Sequence, residues 1–149
     1  MIEARRTSAW SRGYELERGG EPLATLERSA WRNGGRFVLG GRTYEVKSNT
    51  WASSYTLVAD DGTTVASAER VNRKDWTVEA DRVIYQFRRA SVWREEQELT
   101  IGGQPVGSVR RTSMWGGGAV ADLPGMPLVV AVFAVAVVLT TWDLAASTG

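Results

Sequence analysis

The sequence predicts an all-β protein: a closed antiparallel barrel of about 12 strands built from consecutive hairpins, with a C-terminal hydrophobic helix running through its centre. Three observations predict it. Two-residue turn signals recur at Gly19-Gly20, Gly40-Gly41, Asp61-Gly62, Ala80-Asp81 and Gly102-Gly103, at intervals of 21, 21, 19 and 22 residues. Short stretches of alternating apolar and polar residues flank each signal, the pattern of a strand with one face in a core. Between Asp122 and Asp143 lie 20 residues without a charge.

Gly-Gly and Asp-Gly supply the positive φ angles of tight hairpin turns. Pairing outward from Gly19-Gly20 sets Arg18 opposite Glu21 and Leu16 opposite Leu23. From Gly40-Gly41 it sets Phe37 opposite Tyr44 and Arg36 opposite Glu45. From Ala80-Asp81 it sets Glu79 opposite Arg82, Val78 opposite Val83 and Trp76 opposite Tyr85. Apolar meets apolar and opposite charges meet, as a correct register requires. Ten strands follow, and two more are expected near residues 1 to 12 and at Arg111 to Ala121. Tryptophans at 10, 31, 51, 76, 93 and 115 recur at a similar interval, as one large packing element per repeat.

So many hairpins in one domain must hide their edges, and closure does so. Beyond about eight strands the wall's own side chains no longer fill a barrel. The C-terminal stretch, helical from about Pro127 to Trp142, would span about 24 Å, close to a wall about 18 to 20 Å tall and short of a bilayer core of about 30 Å. Gly116-Gly117-Gly118 reads as the link from wall to interior, with Asp122 near the helix start, where its charge suits the helix dipole. The whole chain, 1–149, is then one domain: strands over about 10–121, the central helix over about 123–142 and a tail at 143–149. The alternative for the uncharged stretch is a C-terminal single-pass membrane anchor.

The chain of 149 residues holds 18 basic and 17 acidic residues, no histidine and no cysteine. That excludes a Ser-His-Asp triad, a cysteine nucleophile, a Cys/His zinc site and histidine- or thiolate-ligated haem. The charged start, Met1-Ile2-Glu3-Ala4-Arg5-Arg6, lacks the apolar stretch of a secretory signal, so a cytoplasmic protein, peripheral at a membrane if it meets one, is expected. Asp60-Asp61 with Glu69 does not supply the six or more oxygens that calcium takes, and Asp61-Gly62 is explained as a turn. No cofactor or metal is expected. Near-neutral charge without a basic stripe argues against nucleic acid.

The antiparallel hairpins, together with the ending Asp122-Leu123-Pro124-Gly125-Met126-Pro127-Leu128-Val129-Val130 and the Val/Ala-rich run to Trp142-Asp143, resemble the tubby C-terminal-like superfamily. This group holds the tubby proteins, the phospholipid scramblases and the LURP-one-related proteins, and the chain looks most like its small bacterial LURP-one-type members. The resemblance runs from about Trp10 to Trp142. It implies a 12-stranded barrel around a central helix, with phosphoinositide binding in the tubby branch and lipid movement in the scramblase branch. The chain departs from both branches in lacking a cysteine cluster for acylation and a calcium loop.

Register offers one polar feature. Pairing from Gly102-Gly103 places Leu99 opposite Val106, Glu95 opposite Arg110 and Arg94 opposite Arg111. With Arg88 facing outward on the preceding strand, Arg88, Arg94 and Arg111 would stand abreast, a row suited to an anionic lipid headgroup. Glu95 and Arg110 would form a structural ion pair on the inner face with Trp93, Leu99 and Ile101. With a cation opposite Glu95, the facing carboxylates of a glycosidase are not formed. The expected function is a non-catalytic, monomeric binding module for anionic phospholipid or membrane surfaces. The alternatives are a structural or protein-interaction domain without a small ligand, and a tail-anchored protein that moves lipid.

Overall fold

In the computed structural model, described for residues 1–7, 13–28, 34–91, 96–112 and 118–148, twelve antiparallel strands close into a barrel and one helix fills it. The strands are β1 (Ile2–Arg6), β2 (Tyr14–Arg18), β3 (Glu21–Arg28), β4 (Gly35–Leu39), β5 (Arg42–Ser48), β6 (Tyr55–Ala59), β7 (Thr64–Glu69), β8 (Asp75–Ala80), β9 (Val83–Ser91), β10 (Glu96–Ile101), β11 (Gln104–Arg111) and β12 (Ala119–Asp122); the helix is α1 (Leu128–Thr148). Each strand pairs with its neighbours in sequence, and β1 closes on β12 with Glu3 opposite Val120. The two strands sought at the ends of the wall are therefore β1 and β12, and closure leaves no strand edge unpaired.

Registers follow turn chemistry, with two kinds of departure. At Gly40-Gly41 the expected pairs form, Phe37 with Tyr44 and Arg36 with Glu45, and the two rings stack at 5.3 Å. The β8–β9 turn uses Asp81 and Arg82, both at positive φ (48° and 66°), and not Ala80-Asp81. Aspartate tolerates the left-handed region far better than alanine. The turn moves by one residue and each partner by two, which keeps the inward face, so Trp76 faces Phe87 and Val78 faces Tyr85. Trp76 stacks on Phe87 at 4.4 Å, and its Nε1 donates to Gln97 Oε1 at 2.8 Å, which satisfies the polar end of a buried ring.

Bulges make the second departure. One lies between Leu16 and Glu17, so Leu16 faces Ala24 instead of Leu23. Another lies between Leu99 and Thr100, so Leu99 faces Gly107 instead of Val106, and from there Gln97 faces Val109. Gly107 is required where β11 passes β12: a Cβ there would stand 2.3 Å from the Asp122 carbonyl oxygen. Because side chains alternate every residue, this single inserted position reverses which face each later residue of β11 occupies.

Gly118 leads from β11 into β12, so the glycine run does not carry the chain into the interior. Leu123–Pro127 does so, and α1 begins six residues beyond Asp122, with no acidic residue in its first turn. Asp122 closes β12 and does not complement the helix dipole. The helix also continues through Leu144 and two alanines to Thr148, past the expected end at Trp142.

Every residue from Val130 to Thr140 is buried, eleven positions that rise about 16 Å, close to the height expected of the wall. A helix apolar on every side suits complete enclosure. Its one fully buried hydroxyl, Thr140, donates to the Ala136 carbonyl at 2.7 Å, so nothing polar is left unsatisfied in that stretch. The helix lies closest to β7, whose inward residues are Ala66 and Ala68, small enough to admit a helix backbone. Bulky inward residues, among them Phe37, Tyr44, Trp76 and Phe87, fill other sectors. By length and composition Leu128–Ala146 could cross a membrane, yet 67% of its most apolar window is buried inside the barrel.

Burying a valine, leucine or phenylalanine is worth about 1.5–3 kcal/mol, so the ten apolar residues from Val130 to Leu139 outweigh any single polar contact. Deletion of residues 123–149 is expected to abolish folding of the strands, seen as loss of near-ultraviolet tryptophan dichroism. A folded remainder would show that the wall stands without its filler.

Candidate functional site

Antiparallel closure sorts the connections. The short turns, together with Leu123–Pro127, lie at one end of the barrel; the six longer connections, after β1, β3, β5, β7, β9 and β11, lie at the other. The helix enters at the first end and brings its C-terminal turns to the second. Asp143 arrives there with a charge that the helix dipole disfavours at that terminus. Three side chains compensate. Arg6, at the end of β1, reaches Asp143 at 2.8 Å; Arg28, at the end of β3, pairs with its other oxygen; and the Tyr14 hydroxyl donates to it at 2.9 Å. The Arg28 side chain is 6% exposed, so loss of Asp143 would strand a buried cation. Burial, reinforced by Asp143, pushes Tyr14 up to about 12. Burial also pushes Tyr55, the first residue of β6, up to about 12, with the Arg28 charge acting in the opposite direction.

The β5–β6 connection presents a second feature. Asn49 folds it: its side-chain oxygen accepts from the Ser53 and Ser54 amides at 2.9 and 3.1 Å. Ala52 is buried beneath, at φ 54°. The β7–β8 connection is tied to it, Val71 N–H donating to Ser53 O at 2.9 Å and Asn72 Nδ2 to Trp51 O at 3.2 Å. Trp51 is thus held on a braced loop with its side chain outside, and the residue is 80% exposed. Beside it stand the exposed Arg70, Arg73 and Lys74, and Arg89 N–H donates to Lys74 O at 2.8 Å. Among the described residues none of these four cations has a carboxylate within ion-pair distance.

Of the arginines expected to stand abreast, Arg88 and Arg111 lie on opposite faces of the wall. Arg88 faces outward between Asp75 and Glu98, 3.9 Å from the Glu98 carboxylate. Arg111 faces the other way: the β11 bulge turns it inward, its guanidinium 4.9 Å over the ring of Trp142. The same reversal exposes Arg110 on the outer face, away from the interior where an ion pair with Glu95 was expected. Arg94 and Glu95 lie outside the described residues. Ile101, expected inside, is 70% exposed. Trp76 alone of the expected aromatic series is a described core residue; Trp51 is not in the core, and Trp10, Trp31, Trp93 and Trp115 lie outside the described residues. Asp60 and Asp61 both pair with Arg42, and the Thr63 N–H on Asp61 holds its carboxyl below the usual range, as a turn residue should be.

Composition gave no warning of the Asp143 cluster, whose members are up to 137 residues apart. The Trp51 surface had a signal: an apex tryptophan in a connection that opens on Asn49, a residue that folds such turns onto its own side chain. No family model, curated protein or solved structure matches the chain.

Tyr14 and Tyr55 ionise less readily in the fold than the ordinary 10.0 of an unfolded chain. The stability this confers is complete below pH 10 and is lost as pH rises towards 12. Urea titrations across that interval are expected to show a steep fall in unfolding free energy, flattened in Tyr14→Phe/Tyr55→Phe. An equal fall in the double variant would contradict the assignment.

Proposed function

We propose that the protein is a non-catalytic module that docks on anionic membrane surfaces with the barrel end formed by the long connections. The carrying observation is the 80% exposed Trp51 on its braced loop beside Arg70, Arg73, Lys74 and Arg89. A rigid, exposed indole is amphipathic and settles at the level of lipid headgroups. Cations near an anionic leaflet contribute about 1 kcal/mol each. The docking role, expected from outward arginines on β9 to β11, is reassigned here to the connections after β5 and β7. Resemblance to a superfamily with lipid-binding branches agrees with this reading.

Co-sedimentation with vesicles tests it. Binding is expected to vesicles rich in phosphatidylserine and not to phosphatidylcholine, and to weaken from 0.05 to 0.5 M salt as the Debye length contracts from about 14 to 4 Å. Each of Arg70→Gln, Arg73→Gln and Lys74→Gln is expected to weaken it about fivefold, the equivalent of about 1 kcal/mol, and Trp51→Ala to weaken it without changing the salt dependence. Binding indifferent to acidic lipid, or unchanged in these variants, would refute the proposal.

A further inference from the structure

Exposed apolar side chains gather at one place on the wall. Val83, Ile84, Ile101 and Val106 are 48%, 57%, 70% and 39% exposed, and they lie on β9, β10 and β11, which are neighbours in the barrel. Thr100 pairs with Gln86. Val83 and Ile84 precede Gln86 and Ile101 follows Thr100, so all three lie beyond that pair, towards the short turns. Val106 is the residue that the β11 bulge leaves without a partner, between Pro105 opposite Thr100 and Gly107 opposite Leu99. With strands about 4.8 Å apart, these four side chains and the exposed Pro105 form one patch, at the barrel end remote from Trp51. Every connection at this end is among the described residues, and none of them covers the patch.

Scattered apolar side chains on a surface need no explanation, but a contiguous patch marks an interaction site. Its surroundings select the partner. The barrel has no free strand edge, so an extended peptide cannot add to it. The border carries both signs of charge: Asp81 and Arg82, at the tip of the β8–β9 turn, are adjacent and exposed, and among the described residues neither has an ion pair. A strongly acidic or strongly basic partner would gain from one of them and lose from the other. A second copy of the chain gains from both, because a two-fold axis sets Asp81 of each chain against Arg82 of the other.

We infer that the protein self-associates as a two-fold dimer through the short-turn ends of β9, β10 and β11, in place of the monomer expected from the sequence. Val83, Ile84, Ile101 and Val106 form the dry centre, and the Asp81–Arg82 turns pair at the border. An interface centred on four side chains falls at the small end of specific ones, below about 1,200 Å² in total, so the dimer forms and dissociates with concentration. It leaves the Trp51 end uncovered, and neither proposal depends on the other.

Sedimentation equilibrium of the full chain from micromolar to millimolar concentration tests the inference. The mean mass is expected to rise from one chain to two and no further, since a two-fold interface closes on itself. Ile84→Glu and Ile101→Glu change exposed positions and leave the fold intact; each is expected to weaken association at least about tenfold by placing a charge in the apolar centre. Charge exchange tests the geometry. Asp81→Lys sets like charges against each other in its own dimer, and Arg82→Asp does so with the opposite sign. Each alone is expected to stay monomeric, with an unchanged thermal midpoint, and an equimolar mixture of the two to associate as the wild type does. A wild type monomeric at millimolar concentration would overturn the dimer, as would association undiminished in Ile84→Glu and Ile101→Glu, growth beyond two chains, or a mixture no stronger than its components. A monomeric wild type whose vesicle co-sedimentation is lost in Ile101→Glu would give the patch to lipid instead.

Discussion

A twelve-stranded wall encloses more space than its own side chains can fill, and the molecule depends on the apolar helix that fills it. Strand pairing alone leaves an apolar lumen open at both ends. With α1 in place, the inward faces of all the hairpins have something to pack against, and register becomes costly to slip. The side chains of the wall record this. Ala66 and Ala68 let the helix approach β7, while the Trp76–Phe87 and Phe37–Tyr44 pairs occupy sectors farther away. A helix without an amphipathic face would be unstable on a protein surface; enclosed on every side, it is the largest single contribution to the core.

The helix also gives the barrel a direction. Its entry through Leu123–Pro127 takes the short-turn end, so that end is closed by tight hairpins and a proline-bounded connection. Its exit delivers Asp143 to the end with the long connections, where Arg6, Arg28 and Tyr14 gather on it. The same end holds the braced loop of Trp51 and its cations. The ionic cluster secures the helix terminus there, and long connections are where a rigid wall can display side chains with little cost to its own pairing.

Much of the architecture was legible because it is periodic. Turn residues at fixed intervals specify hairpins, alternation specifies faces, and a C-terminal run apolar on every side suits a helix enclosed by its own wall. What escaped was local. A bulge inserts one residue with no fixed sequence signature, and the one at Leu99/Thr100 reversed the faces of Arg110 and Arg111 and dissolved the expected arginine row. Ala80-Asp81 was one residue out because aspartate and arginine can share a tight turn without glycine. The glycine run at 116–118 suggested an entry into the core, yet β12 still had to be made before the helix could start. The Asp143 cluster joins β1, β2, β3 and α1, which are neighbours only after closure, so no local pattern could announce it.

The absence of cysteine allows the central claim, that α1 is the enclosed core, to be tested at a single atom. Val135→Cys places one thiol in the middle of the helix, and its rate of labelling by a water-soluble reagent can be followed in the native protein and across a urea titration. If the barrel encloses α1, labelling is blocked in the native state and proceeds only as fast as the whole molecule unfolds. Rapid labelling of the folded protein, or protection that appears only when detergent or lipid is added, would contradict the account.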